Sequence, residues 1–210
     1  MGKRAYIALF IVLFVILALT IYTPYLAFTN PEGANTIYTS FEWACHQKIS
    51  RSECLFQNHS TSSFYIADCT SQLGKNIQGD NHIVETVNEA VDTGFKFLVC
   101  ARDVGIYLGM FIVLLAYPFF KKLDDPRLPS PLLYIIALIP IGLDGGIQVL
   151  SSLGFLSYES TNMVRLITGL IAGGATTYFL LPIANNIGKK KQIQQPVKNA
   201  QRKKFKRRTN

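Results

Sequence analysis

The chain has 210 residues, 49% of them hydrophobic and 16% charged, with a formal net charge of +8. Its apolar residues fall in long runs, which excludes an ordinary soluble domain and points to a polytopic membrane protein. Ten of the 21 Lys/Arg residues lie in 189–210, where no acid occurs, so the excess charge belongs to a tail. It does not mark a nucleic-acid-binding face, and no nucleic acid is expected as a partner.

Lys3 and Arg4 precede an uncharged apolar run, residues 5–28. At 1.5 Å per residue this covers a hydrocarbon core of about 30 Å, and it is too long for the apolar part of a secretory signal. It is read as an uncleaved first membrane helix. Residues 29–97 form the one long hydrophilic region. It opens with an Asn30-Pro31-Glu32-Gly33 turn and is expected to be irregular through Gln78. From Asp80 the spacing of Ile83, Val84, Val87, Ala90, Val91 and Phe95 predicts an amphipathic helix lying on the bundle or at the interface.

The second membrane helix is expected over 104–120, where Gly105 and Gly109 give a small-xxx-small face for close packing. A short polar turn, Lys121 to Arg127, leads to the third helix, 132–153, and a turn at 154–161 to the fourth, 163–185. Both of the last two helices carry polar residues. The third has Asp144 and Gln148 four residues apart on one face. The fourth repeats Asn162, Arg165, Thr168/Gly169, Ala172/Gly173 and Thr176 at intervals of three and four. These two stripes are expected to face each other. A carboxylate near mid-helix costs roughly +2.5 to +3.5 kcal/mol on insertion scales, so Asp144 is a candidate functional residue, with Arg165 as its expected partner. The competing expectation is that Asp144, Gln148 and Arg165 only lock two helices together.

The fold class is therefore all-α, a membrane domain of four transmembrane helices over 1–188 with a cysteine-bearing extracytoplasmic region between helices 1 and 2. A basic cytoplasmic tail, 189–210, is expected to be disordered. The positive-inside rule puts Lys3/Arg4, Lys121/Lys122/Arg127 and the tail on one side, with both termini in the cytoplasm and the plasma membrane as the location. The expected partners are the lipid bilayer, anionic lipids at the polybasic tail, at about 1 kcal/mol per Lys or Arg, and other membrane subunits. Cys45, Cys54, Cys69 and Cys100 lie in or beside the outer region, which predicts two disulfides, or one with two free thiols; three pairings are open.

This topology gathers Cys45, His46, Gln47, Arg51, Cys100, Arg102, Asp103, Asp144, Gln148, Asn162 and Arg165 in the outer half of the molecule. Thiolate, imidazole and carboxylate are the ligand types that hold Zn2+ (Zn), so Cys45, His46, Cys100, Asp103 and Asp144 are the metal or ligand candidates. Gln47, Arg51, Arg102, Gln148, Asn162 and Arg165 are the supporting polar set. The spacing alone is weak evidence, because Cys45 and His46 are adjacent and Cys100-Ala-Arg-Asp103 only approximates a Cys-x-x-Cys knuckle.

Four ordered segments carry a resemblance: Cys45-His46-Gln47, Cys100-Ala-Arg102 with Gly105-Ile-Tyr107, Asp144-Gly145 with Gln148, and Asn162 with Arg165, Thr168 and Gly169. Across roughly 45–185 the chain is similar to a family of small predicted membrane proteins of unknown function. That family's signatures are Cys-His-Gln, Cys-Ala-Arg-Cys-Thr-Gly-Ile-Tyr, Asp-Gly-x-x-Gln and Asn-x-x-Arg-x-x-Thr-Gly. The chain departs from them at Asp103 and Val104, where the family has Cys and Thr, and at Ile49, where it usually has Pro. The resemblance implies a redox or metal knuckle, and losing its second cysteine at Asp103 weakens the redox version while leaving a hard ligand in place.

Three functions compete. The first is an outer pocket for a divalent metal or a small polar or anionic ligand, with Arg102 and Arg165 fixing an anionic group. The second is a non-catalytic subunit or scaffold of a membrane complex, and the third is thiol-disulfide exchange, which needs a reactive thiolate. No phosphate-binding Gly loop, Ser-His-Asp order or HExxH motif supports a soluble-enzyme reading.

Overall fold

The computed structural model describes residues 2–43, 45, 49–69, 86–87, 92–123, 125 and 127–208, with backbone only at 2, 86–87 and 188–208. Helix α1 spans Gly2–Ala27, α2 Pro31–Ser40, α3 Ala101–Phe120, α4 Pro131–Ser152 and α5 Asn162–Arg208. Four of them contain stretches long and apolar enough to cross a membrane: Lys3–Ala27, Ala101–Phe120, Pro131–Ser152 and Asn162–Ile187. α3 begins three residues before the expected start. Ala101, Arg102 and Asp103 form its first turn, where the Asp103 carboxylate complements the exposed N–H groups of the helix end.

The all-α expectation needs correction. The region between α1 and α3 contains a four-stranded antiparallel sheet of order β2-β1-β4-β3, with β1 at Glu53–Gln57, β2 at Phe64–Asp68, β3 at Thr86–Val87 and β4 at Thr93–Lys96. The amphipathic helix expected from Asp80 is replaced by strand at 86–87 and 93–96, and the rest of that expected helix up to Val91 lies outside the described residues. The apolar spacing that suggested a helix includes Phe95, which pairs with Leu55 of β1, while Lys96 pairs with Cys54. Aromatic and β-branched residues at 53–57 and 64–68 fit a half-buried pleated surface, and a disulfide between Cys54 and Cys69 closes this hairpin. Cys45 and Cys100 remain thiols, so the one-disulfide alternative is the observed one.

The segment after α1 is also more regular than expected. Asn30 caps α2 by accepting a hydrogen bond from the Gly33 N–H at 2.9 Å, and Pro31 occupies the first helical position, where its missing N–H costs nothing. The buried face of α2, Ala34 and Tyr38, packs with Ala27, Phe95, Leu98 and Val99 into a core that joins the sheet to the helix ends. A second core, Leu13, Leu114, Tyr117 and Leu181, joins α1, α3 and α5 toward their other ends.

The seam between α3 and α5 brings backbone against backbone. A Cβ added at Gly105 or Gly109 would lie 2.2 or 2.1 Å from the carbonyl oxygen of Leu166 or Leu170. One at Gly169 or Gly173 would lie 2.4 or 2.0 Å from that of Arg102 or Ile106. The small stripe of α5 therefore beds on α3, and not on the polar stripe of α4 as expected. α4 meets α5 through side chains, among them Tyr134, whose hydroxyl is 3.3 Å from Thr176 Oγ1 and whose ring lies 4.9 Å from that of Phe179.

Candidate functional site

Two polar clusters occupy the sheet end of the bundle. The first forms where the chain after α2 meets the start of α3. Cys100 is the N-cap residue of α3, and its thiol donates to Asp103 Oδ2 at 3.0 Å, one turn into the helix. The Cys100 backbone N–H donates to Cys45 Sγ at 3.3 Å. The ligand atoms of Cys45, Cys100 and Asp103 all lie within 4.8 Å of one another. The hydrogen bond with Cys45, burial and the Asp103 carboxylate hold the Cys100 thiol well above the usual thiol range. His46 and Gln47, the neighbours of Cys45 in the predicted set, lie outside the described residues.

Lys96, at the end of β4, is 1% exposed and belongs to the wall of this cluster. Its ammonium lies 5.1 Å from the Tyr38 ring centroid, and its carbonyl accepts the Tyr38 hydroxyl. Burial pushes the Lys96 pKa down to about 8, while the nearby Cys45 sulfur opposes the shift. Lys96 is a residue that sequence reasoning missed, because the helical reading of 80–95 concealed a charged residue aimed into the protein.

The second cluster sits between α3, α4 and the loop before α5. Arg102 Nη2 donates to Asp144 Oδ2 and also to Gln148 Oε1 at 3.3 Å, and Tyr158 donates its hydroxyl to Asp144 Oδ1 at 3.1 Å. The four-residue spacing of Asp144 and Gln148 thus does put both on one face, but the cation they meet is Arg102. Arg165 is a corrected partner: it turns the other way. Its Nη1 donates to Asn162 Oδ1 at 3.0 Å and to the Ser50 carbonyl at 3.3 Å, and its Nη2 lies 3.8 Å from Glu159 Oε1. Asn162 in turn donates to the Ser52 carbonyl at 3.0 Å. These bonds fasten the start of α5 to the short 3-10 turn Ile49–Arg51 that leads into β1.

The loop between α4 and α5 is shaped for this contact. Gly154 takes φ +83°, a left-handed conformation that suits glycine after a helix end, and the Tyr158 N–H then bonds Ser151 Oγ at 3.1 Å. Nothing in the sequence singled out Tyr158. The result is a cleft of about 360 Å³ whose walls include Arg51, Gln148, Ser151, Ser152, Tyr158 and Glu159.

The structure thus brings Cys45, Cys100 and Asp103 together in one cluster, and Arg51, Arg102, Asp144, Gln148, Asn162 and Arg165 in the adjoining one. Asp144 does not join the thiols, because Arg102 and Tyr158 already occupy its carboxylate.

Residues 91–179 match the sequence family described as Predicted membrane protein (DUF2085). The chain is 46% identical over 90 residues to the uncharacterized protein MJ1492 of Methanocaldococcus jannaschii, a match covering 43% of this chain and 54% of that protein. It is 39% identical over 80 residues to an uncharacterized protein of Methanothermobacter thermautotrophicus, covering 38% of this chain and 66% of the relative. The chain is a predicted membrane protein with archaeal relatives. Its matches span less than two thirds of either relative's length. No solved structure matches. Cys100, Arg102, Asp103, Asp144, Gln148, Asn162 and Arg165 fall inside the family match, whereas Cys45 and Arg51 lie before it.

Proposed function

We propose that this protein holds a divalent metal ion, best suited to Zn2+, at the extracytoplasmic end of a four-helix membrane bundle. Cys45, Cys100 and Asp103 supply three ligands. The observation that carries this reading is the convergence of two sulfurs and a carboxylate oxygen, with all three ligand atoms within 4.8 Å. The donor set fits the ion: two thiolates and a carboxylate are zinc ligands at roughly 2.0–2.3 Å and fill three positions of a tetrahedral shell. A cation in this position would draw the proton from Cys100 and reverse the environment that now favours the thiol. Asp144 stays with Arg102 and serves the neighbouring cleft.

The orientation belongs to the same proposal. Three basic segments on one side of four spans favour cytoplasmic termini at the plasma membrane, with the basic segment 189–210 on anionic lipid. A Cys54–Cys69 disulfide favours an oxidising compartment for the sheet.

Metal content of the purified full chain tests the reading. About one equivalent of zinc is expected in the parent, falling severalfold in Asp103→Ala and Cys45→Ser, with Co2+ reconstitution giving thiolate charge-transfer absorption in the parent only. Substoichiometric metal unchanged by either substitution would overturn it.

Thiol-disulfide exchange is the second reading, favoured by two cysteines outside the disulfide that share one cluster. The carboxylate beside Cys100 works against it, since attack requires a thiolate and Asp103 disfavours one. Trapping a mixed disulfide on Cys45 or Cys100 would revive it.

A further inference from the structure

Arg51, Arg102, Arg165 and Gln148 present an excess of buried donors that nothing among the described residues satisfies. Arg51 Nε, Arg102 Nε, Gln148 Nε2, Arg165 Nε and Arg165 Nη2 are all buried without a hydrogen-bond partner there. A buried donor left unpaired loses its hydration with nothing in return, the more so when it is charged, so a cluster of them in one place requires a reason.

Charge makes the same point independently. Three guanidiniums face two carboxylates. Asp144 is committed to Arg102, and Glu159 is only 3.8 Å from Arg165 while its own side chain is 68% exposed, so water screens much of its charge. Arg165 itself is 1% exposed, and Arg51 has no carboxylate partner among the described residues. A buried, uncompensated cation is expensive unless an anion joins it.

The cleft shows where that anion would sit. Arg51 and Gln148 form part of its wall, Arg165 lies immediately behind Glu159, and Ser151 and Ser152 stand along one side. The unsatisfied groups are all N–H donors, and a guanidinium fork matches two oxygens of a tetrahedral oxyanion. At about 360 Å³ and open to solvent, the cleft has room for a phosphate with a substituent extending outward.

We infer that this cleft binds a phosphate group, either free or as the phosphomonoester head of a lipid, through Arg51 and Gln148, with the buried Arg165 behind the Glu159 wall adding positive charge and Arg102 held in place by Asp144. The site names the ligand class for the polar half of the proposed pocket. It uses none of Cys45, Cys100 or Asp103, so it survives if the metal reading fails.

The test is thermal melting of the full chain in phosphate-free maltoside detergent, with a chelator present throughout and ionic strength held constant with chloride. One arm titrates inorganic phosphate, and the other titrates phosphatidic acid into the micelles. Saturable stabilisation in either arm is expected, and the arm with the lower midpoint identifies the source of the phosphate. Arg51→Gln and Gln148→Leu, which leave the Asn162–Arg165 anchor intact, should each weaken the midpoint at least tenfold. Cys45→Ser and Asp103→Asn should leave it unchanged. Stabilisation no greater than that given by chloride in both arms would overturn the inference, as would equal midpoints in the parent and both cleft variants.

Discussion

Two interfaces on α5 are built on opposite principles. Against α3 the helix presents Gly169 and Gly173 to backbone carbonyls, and α3 answers with Gly105 and Gly109, so the two main chains touch over two turns. Against α4 there is no such bed. Gly142 and Gly146 of α4 have nothing within 4 Å of where a Cβ would stand. What ties α4 to the pair is side-chain chemistry at its two ends: Asp144 and Gln148 on Arg102, and Tyr134 on Thr176 and Phe179. In lipid, where burying apolar area adds little, close backbone packing and interhelical hydrogen bonds are the two sources of cohesion. This bundle assigns one to each seam. The α3–α5 pair is the fixed frame, and α4 is attached to it through side chains, one of which, Gln148, also lines the cleft.

The largest expected effect breaks the frame. Gly109→Val and Gly173→Val would each force side-chain atoms into a space where even a Cβ comes within 2.1 and 2.0 Å of a backbone oxygen. A helix backbone cannot yield as a flexible side-chain tip does, so the cost falls at or beyond the upper end of the roughly 1–3 kcal/mol typical of overpacking. The expected outcome is loss of monodisperse protein on size exclusion. Parent-like melting would show that the seam is looser than the frame requires.

How much of this was legible beforehand follows from the same contrast. The apolar runs fixed the four spans to within a few residues, and Gly105 and Gly109 announced a packing face, because period and residue size are written directly in the sequence. Which face meets which is not. The stripe from Asn162 to Thr176 mixes polar groups with glycines, and the polar groups suggested a match with Asp144. The glycines decided it, since backbone contact needs complementary small residues and α3 has them. Asp144 then found Arg102 at the start of α3, where Gly169 lets that first turn lie directly on α5. The sheet was hidden for another reason. Its strands are two to five residues long, and in β4 the sequence Thr93-Gly-Phe-Lys96 satisfies a helical spacing as readily as a strand alternation. The Cys45, Cys100 and Asp103 cluster was legible as residue types; its geometry depends on α2 and β4 converging beside α3.

A smaller effect separates α4 from the frame. Asp144→Asn removes the charge that neutralises Arg102 while keeping the shape. Breaking a buried pair costs about 3–5 kcal/mol, but the Arg102 side chain is 23% exposed and recovers part of its solvation, so a loss of about 1–2 kcal/mol is expected. The prediction concerns which part moves as much as how far. Cross-linking between cysteines introduced on α4 and α5 should slow, while cross-linking between α3 and α5 stays at the parent rate. Equal loss at both seams would show that the polar network supports the whole bundle.

The smallest effect sharpens the comparison from the side of α4. Gly142→Ala and Gly146→Ala add a methyl group where nothing stands within 4 Å, so no overlap opposes them. Helix propensity favours the change by up to about 1 kcal/mol at each site, and surface substitutions otherwise fall within about 0.5 kcal/mol. The melting temperature should therefore hold or rise slightly, whereas the same Gly→Ala change at Gly109 or Gly173 should lower it. A drop at Gly146 comparable to that at Gly173 would mean that the glycine face of α4 is covered in the membrane, since glycine is costly to replace only where another backbone approaches it.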